Sequence, residues 1–449
     1  MTVTTVDSAI YGSLLSDAEL VALFDDAAQI SAMLVVEAAL ARAEAAVGAI
    51  PAEAGEAIAL AIERAIAEGS PRPDELAAGT AAAGVPIPAL VERLRALVGG
   101  EAAQYVHWGA TSQDITDTGL VLRLVRATAI MQRRLQTLIA ALATLADAHR
   151  DTIMVGRTRG QQAVPITFGL KAAGWLAPLL RDRERLDELG KRVFVLQFGG
   201  AAGNLSALDN AGQAVARALA TELRLGNPAM PWHSQRDVVT EYAGWLTTLS
   251  ANLGKIGLDV MLLTQNEVGE LRIRSESGQG GSSTMPQKIN PVPAEVLVTM
   301  ARSNASLNSG LQQAALQEHE RGGPGWQMEW LGLPPLAVQT GCALNAALDL
   351  VARLEVQTER MRANLDASNG LALAEAASFA LSQHLPRAEA QAMTKAACRK
   401  AVAENRNLFD VLAIDTDIPV DWPQVADPAN YLGSNAGLID AVLHQAHPA

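Results

Sequence analysis

The sequence predicts an all-α protein of three helical domains, the middle one a bundle of long helices that builds a tetramer core. Composition is the first reason. Of 449 residues, 49% are hydrophobic but only 4% are aromatic. Ala and Leu dominate the apolar share and favour helix over sheet. Periodicity is the second. Leu120, Leu124, Met131, Leu135, Leu138, Leu142 and Leu145 recur at spacings of three, four and seven, one continuous apolar stripe. Val238, Tyr242, Trp245, Leu249, Leu253, Ile256, Val260 and Leu263 repeat the pattern. The length suffices for two or three domains and a large core.

Taken in order, residues 1–110 read as an N-terminal helical domain. A helix over Ala22–Ala46 ends near Gly48, and Ile50-Pro51 follows. A second helix over Ala52–Glu68 is closed by Gly69-Ser70-Pro71. Residues 111–355 form the central bundle. Its helices are expected after Thr111 or Ser112, over Ile166–Leu189, Arg236–Glu270, Asn290–Gln317 and Trp326–Leu354. The third of these would run about 50 Å, a length typical of bundles and coiled coils. Residues 356–449 read as a small C-terminal helical domain with a last helix from about Ser434.

The formal charge is −13 and no basic patch stands out, which argues against nucleic acid. An anionic substrate stays open, because the local field of a site outweighs the total. Cys342 and Cys398 make no disulfide framework and fit buried thiols in a reduced cytosol. Met1–Leu15 lacks a signal-peptide pattern, and no apolar run looks long enough to span a bilayer. The expectation is a cytoplasmic protein without membrane or nucleic-acid partners. The seven histidines are scattered, with no zinc spacing and no Walker loop, so chemistry without metal or cofactor is expected.

Four polar clusters border the long helices. The most specific is Gly278-Gln-Gly-Gly-Ser-Ser-Thr-Met-Pro-Gln-Lys-Ile-Asn-Pro-Val292, the loop 275–291. Its glycines free the backbone around Ser282 and Ser283. Asn290 suits an N-cap and Pro291 the first helical turn, so the helix aims its positive end at Lys288 and Asn290. A hydroxyl beside fixed positive groups can remove a proton next to a carboxylate. Composition alone would allow a flexible linker, or the nucleophile loop of a Ser-Ser-Lys amidase. The run after the serines is too specific for the first, and the second needs an α/β scaffold. His107-Trp-Gly-Ala-Thr-Ser-Gln-Asp114 places Thr111 and Ser112 at a helix start, a carboxylate cradle. As alternatives, both are simple caps and His107 a satisfied loop histidine. Gly156-Arg-Thr-Arg-Gly-Gln-Gln-Ala-Val-Pro165 puts Thr158 and Gln161 at a turn, and Pro231-Trp-His-Ser-Gln-Arg-Asp237 opens a long helix. Gly199-Gly-Ala-Ala-Gly203 lacks the βαβ setting of a dinucleotide fingerprint and reads as a tight turn. Cluster ends about 50 Å apart cannot all meet in one subunit. A symmetric oligomer with shared sites, most naturally a tetramer, solves this.

Gly281 to Pro291 resembles the signature of the fumarase/aspartase superfamily, and His107–Asp114 and Gly156–Pro165 resemble its other two signature regions. Further segments resemble its branch of bacterial 3-carboxy-cis,cis-muconate cycloisomerases: Leu196-Gln-Phe-Gly-Gly-Ala-Ala-Gly203, Pro231-Trp-His-x-Gln-Arg-Asp237, Gln317-Glu-His-Glu-Arg321 and Tyr431-Leu-Gly433. The resemblance covers nearly the whole chain. It implies a homotetramer with sites built from three subunits. It also implies addition or β-elimination on a small polycarboxylate through an aci-carboxylate. Ser283 would be the general base, with Ser282 beside it. Lys288 and Asn290 would bind the carboxylate and stabilise the aci-carboxylate. Thr111, Ser112, Thr158 and Gln161 would hold a carboxylate. His107, His233, Gln235 and Arg321 would line the pocket, and Arg159 stands where other lyases often have His.

The chain departs from the branch at Gln162, where His is usual, and at Gln287 and Ile289, where His and Arg are usual. Gln162 cannot shuttle a proton, and Ile289 removes a cation suited to a third carboxylate. One alternative is therefore a lyase releasing fumarate from an amino- or nitro-succinate. Another is a silent structural homologue, as in lens crystallins, against which the intact Ser-Ser…Lys-x-Asn set argues.

Overall fold

The computed structural model describes residues 4–274, 280–281, 284–285 and 287–446. Helix dominates it, as composition predicts. The first long helix, Asp26–Val47, is opened by Asp25, whose side chain accepts from the Ala28 N–H. It begins later than expected because Asp25 separates it from Ala18–Phe24. Gly48 and Gly69 close Asp26–Val47 and Ala52–Glu68 in the left-handed conformation that glycine adopts without strain.

The chain divides into two units. The first comprises Met1–Arg134, Asp182–Ala251 and Thr299–Leu344. Its N-terminal core packs Met33, Leu34 and Leu40 with Ile58, Ile62, Leu90, Leu94 and Leu219. Three long helices, Asp237–Leu263, Val292–Ala314 and Pro324–Arg353, are tied by a buried polar knot. Asn304 donates to Ser250 Oγ at 2.6 Å and to Thr340 Oγ1 at 3.1 Å. In apolar surroundings such a knot fixes helix register, because an unpaired amide there is costly.

The second unit comprises Leu135–Arg181, Asn252–Val298 and Asn345–Ala449. Its C-terminal helices enclose a core of Leu373, Ala377, Leu381, Leu408, Leu412 and Trp422. It also holds strand, which sequence reading did not foresee. Ile153–Thr158 and Gln161–Thr167 form an antiparallel hairpin in which Thr158 pairs with Gln161. The two turn residues, Arg159 and Gly160, both have positive φ (52° and 80°), the geometry that suits a two-residue hairpin loop. A bulge at Gly156 lets Arg157 reach Glu270, described below. Leu271–Ile273 pairs with Leu354–Val356. The Asp237–Leu263 helix therefore stops seven residues short of Glu270, where the chain turns to strand.

Among the described residues one helix, Pro324–Arg353, is long and apolar enough to cross a bilayer by length and composition, though Glu329, Gln339 and Asp349 interrupt its apolar residues. More than half of its apolar window is buried within the protein.

Candidate functional site

The Ser112–Ala148 helix starts where Thr111 and Ser112 predict. Asp114, at its third position, reaches back so that its Oδ2 accepts from the Thr111 N–H at 3.0 Å. The same carboxylate accepts from the backbone N–H groups of Gly199 and Gly200, both at 2.9 Å. Its Oδ1 lies 2.7 Å from His233 Nε2. Four donors from three segments thus converge on one buried carboxylate. A Cβ on Gly199 would stand 2.8 Å from His233 Cε1, so only glycine allows the approach. A carboxylate accepts, so Nε2 carries the proton of this contact. Nδ1 is buried and, among the described residues, has no hydrogen-bond partner.

The next turn extends the network. Gln113 donates to His233 O at 2.9 Å and to Asp117 Oδ2 at 3.1 Å, and accepts from Arg321 Nε at 3.0 Å. Arg321 also donates to Ala201 O and Gly200 O. Its guanidinium is therefore occupied in clamping the 199–203 turn. Arg236, fully buried, joins Asp117 (2.7 Å) to Glu329 (2.8 and 2.5 Å) and stacks 4.8 Å from the Trp232 ring. Burial opposes its charge, but the two carboxylates hold its pKa above the ordinary arginine value. Trp326 donates to the other oxygen of Asp117 at 2.8 Å.

His107 lies half-buried in the same unit with φ 63°, rare outside glycine. Its Nδ1 is 2.6 Å from Glu37 Oε1. Burial works against a charge on the ring, yet Glu37 outweighs it and raises the pKa above the ordinary histidine value. Gln235 is exposed beside buried His233 and Arg236. The first unit thus brings together His107, Thr111, Ser112, His233, Gln235 and Arg321 as neighbours of the start of one helix or of the segments bound to it.

The other proposed residues belong to the second unit. Thr158, Arg159 and Gln161 stand exposed at the hairpin tip. Arg157, half-buried, anchors the hairpin by a paired contact to Glu270 at 2.7 and 2.8 Å. Ser282 and Ser283 lie outside the described residues. The ends of their loop do not. Gly281 bridges Ile289, and Gly280 O accepts from the Asn290 N–H at 2.8 Å. At Gly280 φ is +70°, and a Cβ would meet Asn290 O at 2.7 Å, so a side chain there would open this closure. Lys288 is exposed and Asn290 half-buried. The helix begins at Val292, with Pro291 O accepting its first bond, one residue later than the cap assignment predicts. No cluster of His, Cys, Asp or Glu suited to a metal ion occurs among the described residues.

Sequence reading missed Glu37, the convergence on Asp114, and Arg236 with its two carboxylates. Glu37 carried a signal: it and Glu44 sit seven apart in an alanine-rich run, hence on one helix face.

A lyase family profile matches residues 16–304. A 3-carboxy-cis,cis-muconate cycloisomerase of Pseudomonas aeruginosa is 43% identical over 95% of this chain and 94% of its own. The crystal structure of a 3-carboxy-cis,cis-muconate lactonizing enzyme from Pseudomonas putida superposes with a TM-score of 0.90 at 42% identity, covering 98% of this chain and 99% of that one. A nitrosuccinate lyase of Streptomyces davaonensis is 36% identical over 98% of this chain and 95% of its own.

Proposed function

The chain belongs to this lyase family, as an enzyme of the fumarate lyase superfamily, and on that premise we propose that it is a 3-carboxy-cis,cis-muconate cycloisomerase of aromatic-acid (protocatechuate) catabolism. The observation that carries the reading is identity of 43% over nearly the full length of a cycloisomerase, with the fold kept throughout. In the lactonising direction a substrate carboxylate oxygen adds to the double bond and forms the new C–O bond. The displaced electron pair moves into the neighbouring carboxylate as an aci-carboxylate, which Lys288 and Asn290 stabilise. The Ser283 hydroxyl then gives a proton to the adjacent carbon. In reverse, ionised Ser283 takes that proton and the carboxylate leaves.

Gln162, a departure from the cycloisomerase branch, is exposed and bears on the leaving group. A leaving carboxylate has a conjugate acid of pKa about 4 and departs as a stable anion, so no general acid is needed. An amine would need a proton that Gln162 cannot supply. Nitrite is also a stable anion. A nitrosuccinate-type lyase, releasing fumarate, is therefore the second reading, and likeness to the Streptomyces davaonensis enzyme favours it over an amine lyase.

Exposed apolar side chains support assembly into a homotetramer. Leu258 and Leu262 share a face of one long helix, and Met328 and Leu331 share a face of another. Among the described residues the two cysteines are free, and burial pushes the Cys342 thiol up to about 11, which fits a reducing cytoplasm.

The test is a spectrophotometric assay of the purified protein with 3-carboxy-cis,cis-muconate and, in parallel, with fumarate plus nitrite. Loss of the muconate chromophore is expected, with a fall of roughly 10²–10⁴-fold in Ser283→Ala. No muconate turnover, with fumarate and nitrite consumed, would replace the first reading by the second.

A further inference from the structure

Two histidines of the proposed site are held by carboxylates of different origin. Asp114 comes from the same segment as the cradle. Glu37 comes from the Asp26–Val47 helix, 70 residues before its histidine, and belongs to none of the four polar clusters. It is buried, at 2% exposure, and its contact with His107 Nδ1 is short.

A carboxylate only accepts, so the proton of this contact sits on Nδ1. Glu44 lies on the same helix face as Glu37. Both Glu44 oxygens are buried without a partner among the described residues, and burial, reinforced by Glu37, pushes its pKa up to about 9. With Nδ1 committed, Nε2 is the nitrogen left for the open side. There His107 borders a cleft of about 420 Å³, together with Val91, Glu92, Arg95 and Ser112.

We infer that Glu37 is the positioning residue of His107: it fixes the ring through Nδ1 and leaves Nε2–H as a cationic donor to a substrate carboxylate at the Ser112 end of the cleft. The surrounding charges agree. Glu37 from Asp26–Val47 and Asp114 from Ser112–Ala148 favour the cation, while Arg95 from Ile87–Val98 opposes it. Glu92 lines the same cleft. The device supplies from the N-terminal helices a positive charge of the kind that Ile289 does not offer on the loop. It rests on the proposed function in one respect, that His107 faces substrate.

Two readouts separate the two halves. Diethyl pyrocarbonate acylates neutral imidazole. Its rate at His107, read by peptide mass spectrometry between about pH 5.5 and 8.5, reports the ring's protonation without any substrate. Exposed His444 serves as the internal reference. In Glu37→Gln the His107 profile is expected to move to lower pH, with modification at about pH 6.5 faster by roughly fivefold or more. KM for the muconate should rise about tenfold with kcat within about threefold, a loss of ground-state binding. Glu37→Asp should recover part of both, and His107→Gln should reproduce the KM change. An unchanged modification profile in folded Glu37→Gln overturns the role of Glu37 whatever the kinetics do. A shifted profile with unchanged KM in both Glu37→Gln and His107→Gln overturns the placement of His107 against substrate.

Discussion

The start of the Ser112–Ala148 helix and the tip of the 153–167 hairpin each carry proposed carboxylate-binding groups, yet they are built in opposite ways. At the helix start the side chains of Asp114, Gln113 and Arg321 are committed to protein partners. Asp114 takes four hydrogen bonds, Gln113 three contacts, and Arg321 three acceptors. At the hairpin tip Thr158, Arg159 and Gln161 face solvent, and only the base is fixed, through Arg157 and Glu270. Buried polar networks are rigid when complete and costly when broken. Exposed side chains on a stiff turn contribute nothing to folding and are free to serve a ligand. Substitutions should therefore lower stability and activity together in the first region, and activity alone in the second.

The hardest test of the first half is Arg236→Met. It leaves Asp117 and Glu329 buried without their shared cation, and should cost about 3–5 kcal/mol in denaturant unfolding. Asp114→Asn should follow at about 2–3 kcal/mol, because one oxygen becomes an NH₂ facing N–H groups. It should also abolish most turnover, since His233 loses its anchor. Either variant with wild-type stability and impaired activity would erase the contrast and make the network a set of substrate contacts.

The same contrast explains what could be read from sequence. Ala52–Glu68 has the predicted bounds, because alanine, Pro51 and Gly69 act locally. The start of the Ser112–Ala148 helix was legible for the same reason. Arg236, Asp117 and Glu329 were not, since their partners lie 93 and 119 residues away and pairing depends on the fold. The hairpin was hidden because two short strands joined by Arg-Gly leave little period-two signal among long helices. Where Ser282 and Ser283 stand falls outside the described residues, so their role rests on their place in the signature. The closing of their loop by Gly280 and Gly281 is visible, and it gives Gly280 a steric reason.

Glu44 sharpens the comparison, being a buried polar group without a hydrogen-bond partner among the described residues. Its pKa is raised from 4.5 to about 9, so the folded state holds a proton that the unfolded chain releases above about pH 4.5. Wild-type stability should thus be full below that pH and fall as pH rises toward 9, by up to about 1.4 kcal/mol per pH unit. Between about pH 6 and 7.5 the loss should be on the order of 2 kcal/mol, and Glu44→Gln should remove most of that slope. Parallel wild-type and variant curves would mean that Glu44 finds a partner in solution.

Gln161→Ala, alone and with Thr158→Ala, carries the smallest expected effect and tests the second half most cleanly. Both side chains are exposed at a turn whose geometry is set by Arg159 and Gly160, so thermal and denaturant midpoints should not move beyond about 0.5 kcal/mol. If the hairpin tip binds a substrate carboxylate, each lost neutral hydrogen bond should weaken binding by about 0.5–1.5 kcal/mol, or roughly 2- to 12-fold in KM. The double variant should approach the product of the singles if the two groups act independently, and fall short of it if both hold one oxygen. Unchanged KM in the double variant would remove the hairpin tip from the site. A fall in stability would show that the tip is packed in the assembled protein, which Arg157→Ala can distinguish by loosening the base while leaving the tip side chains in place.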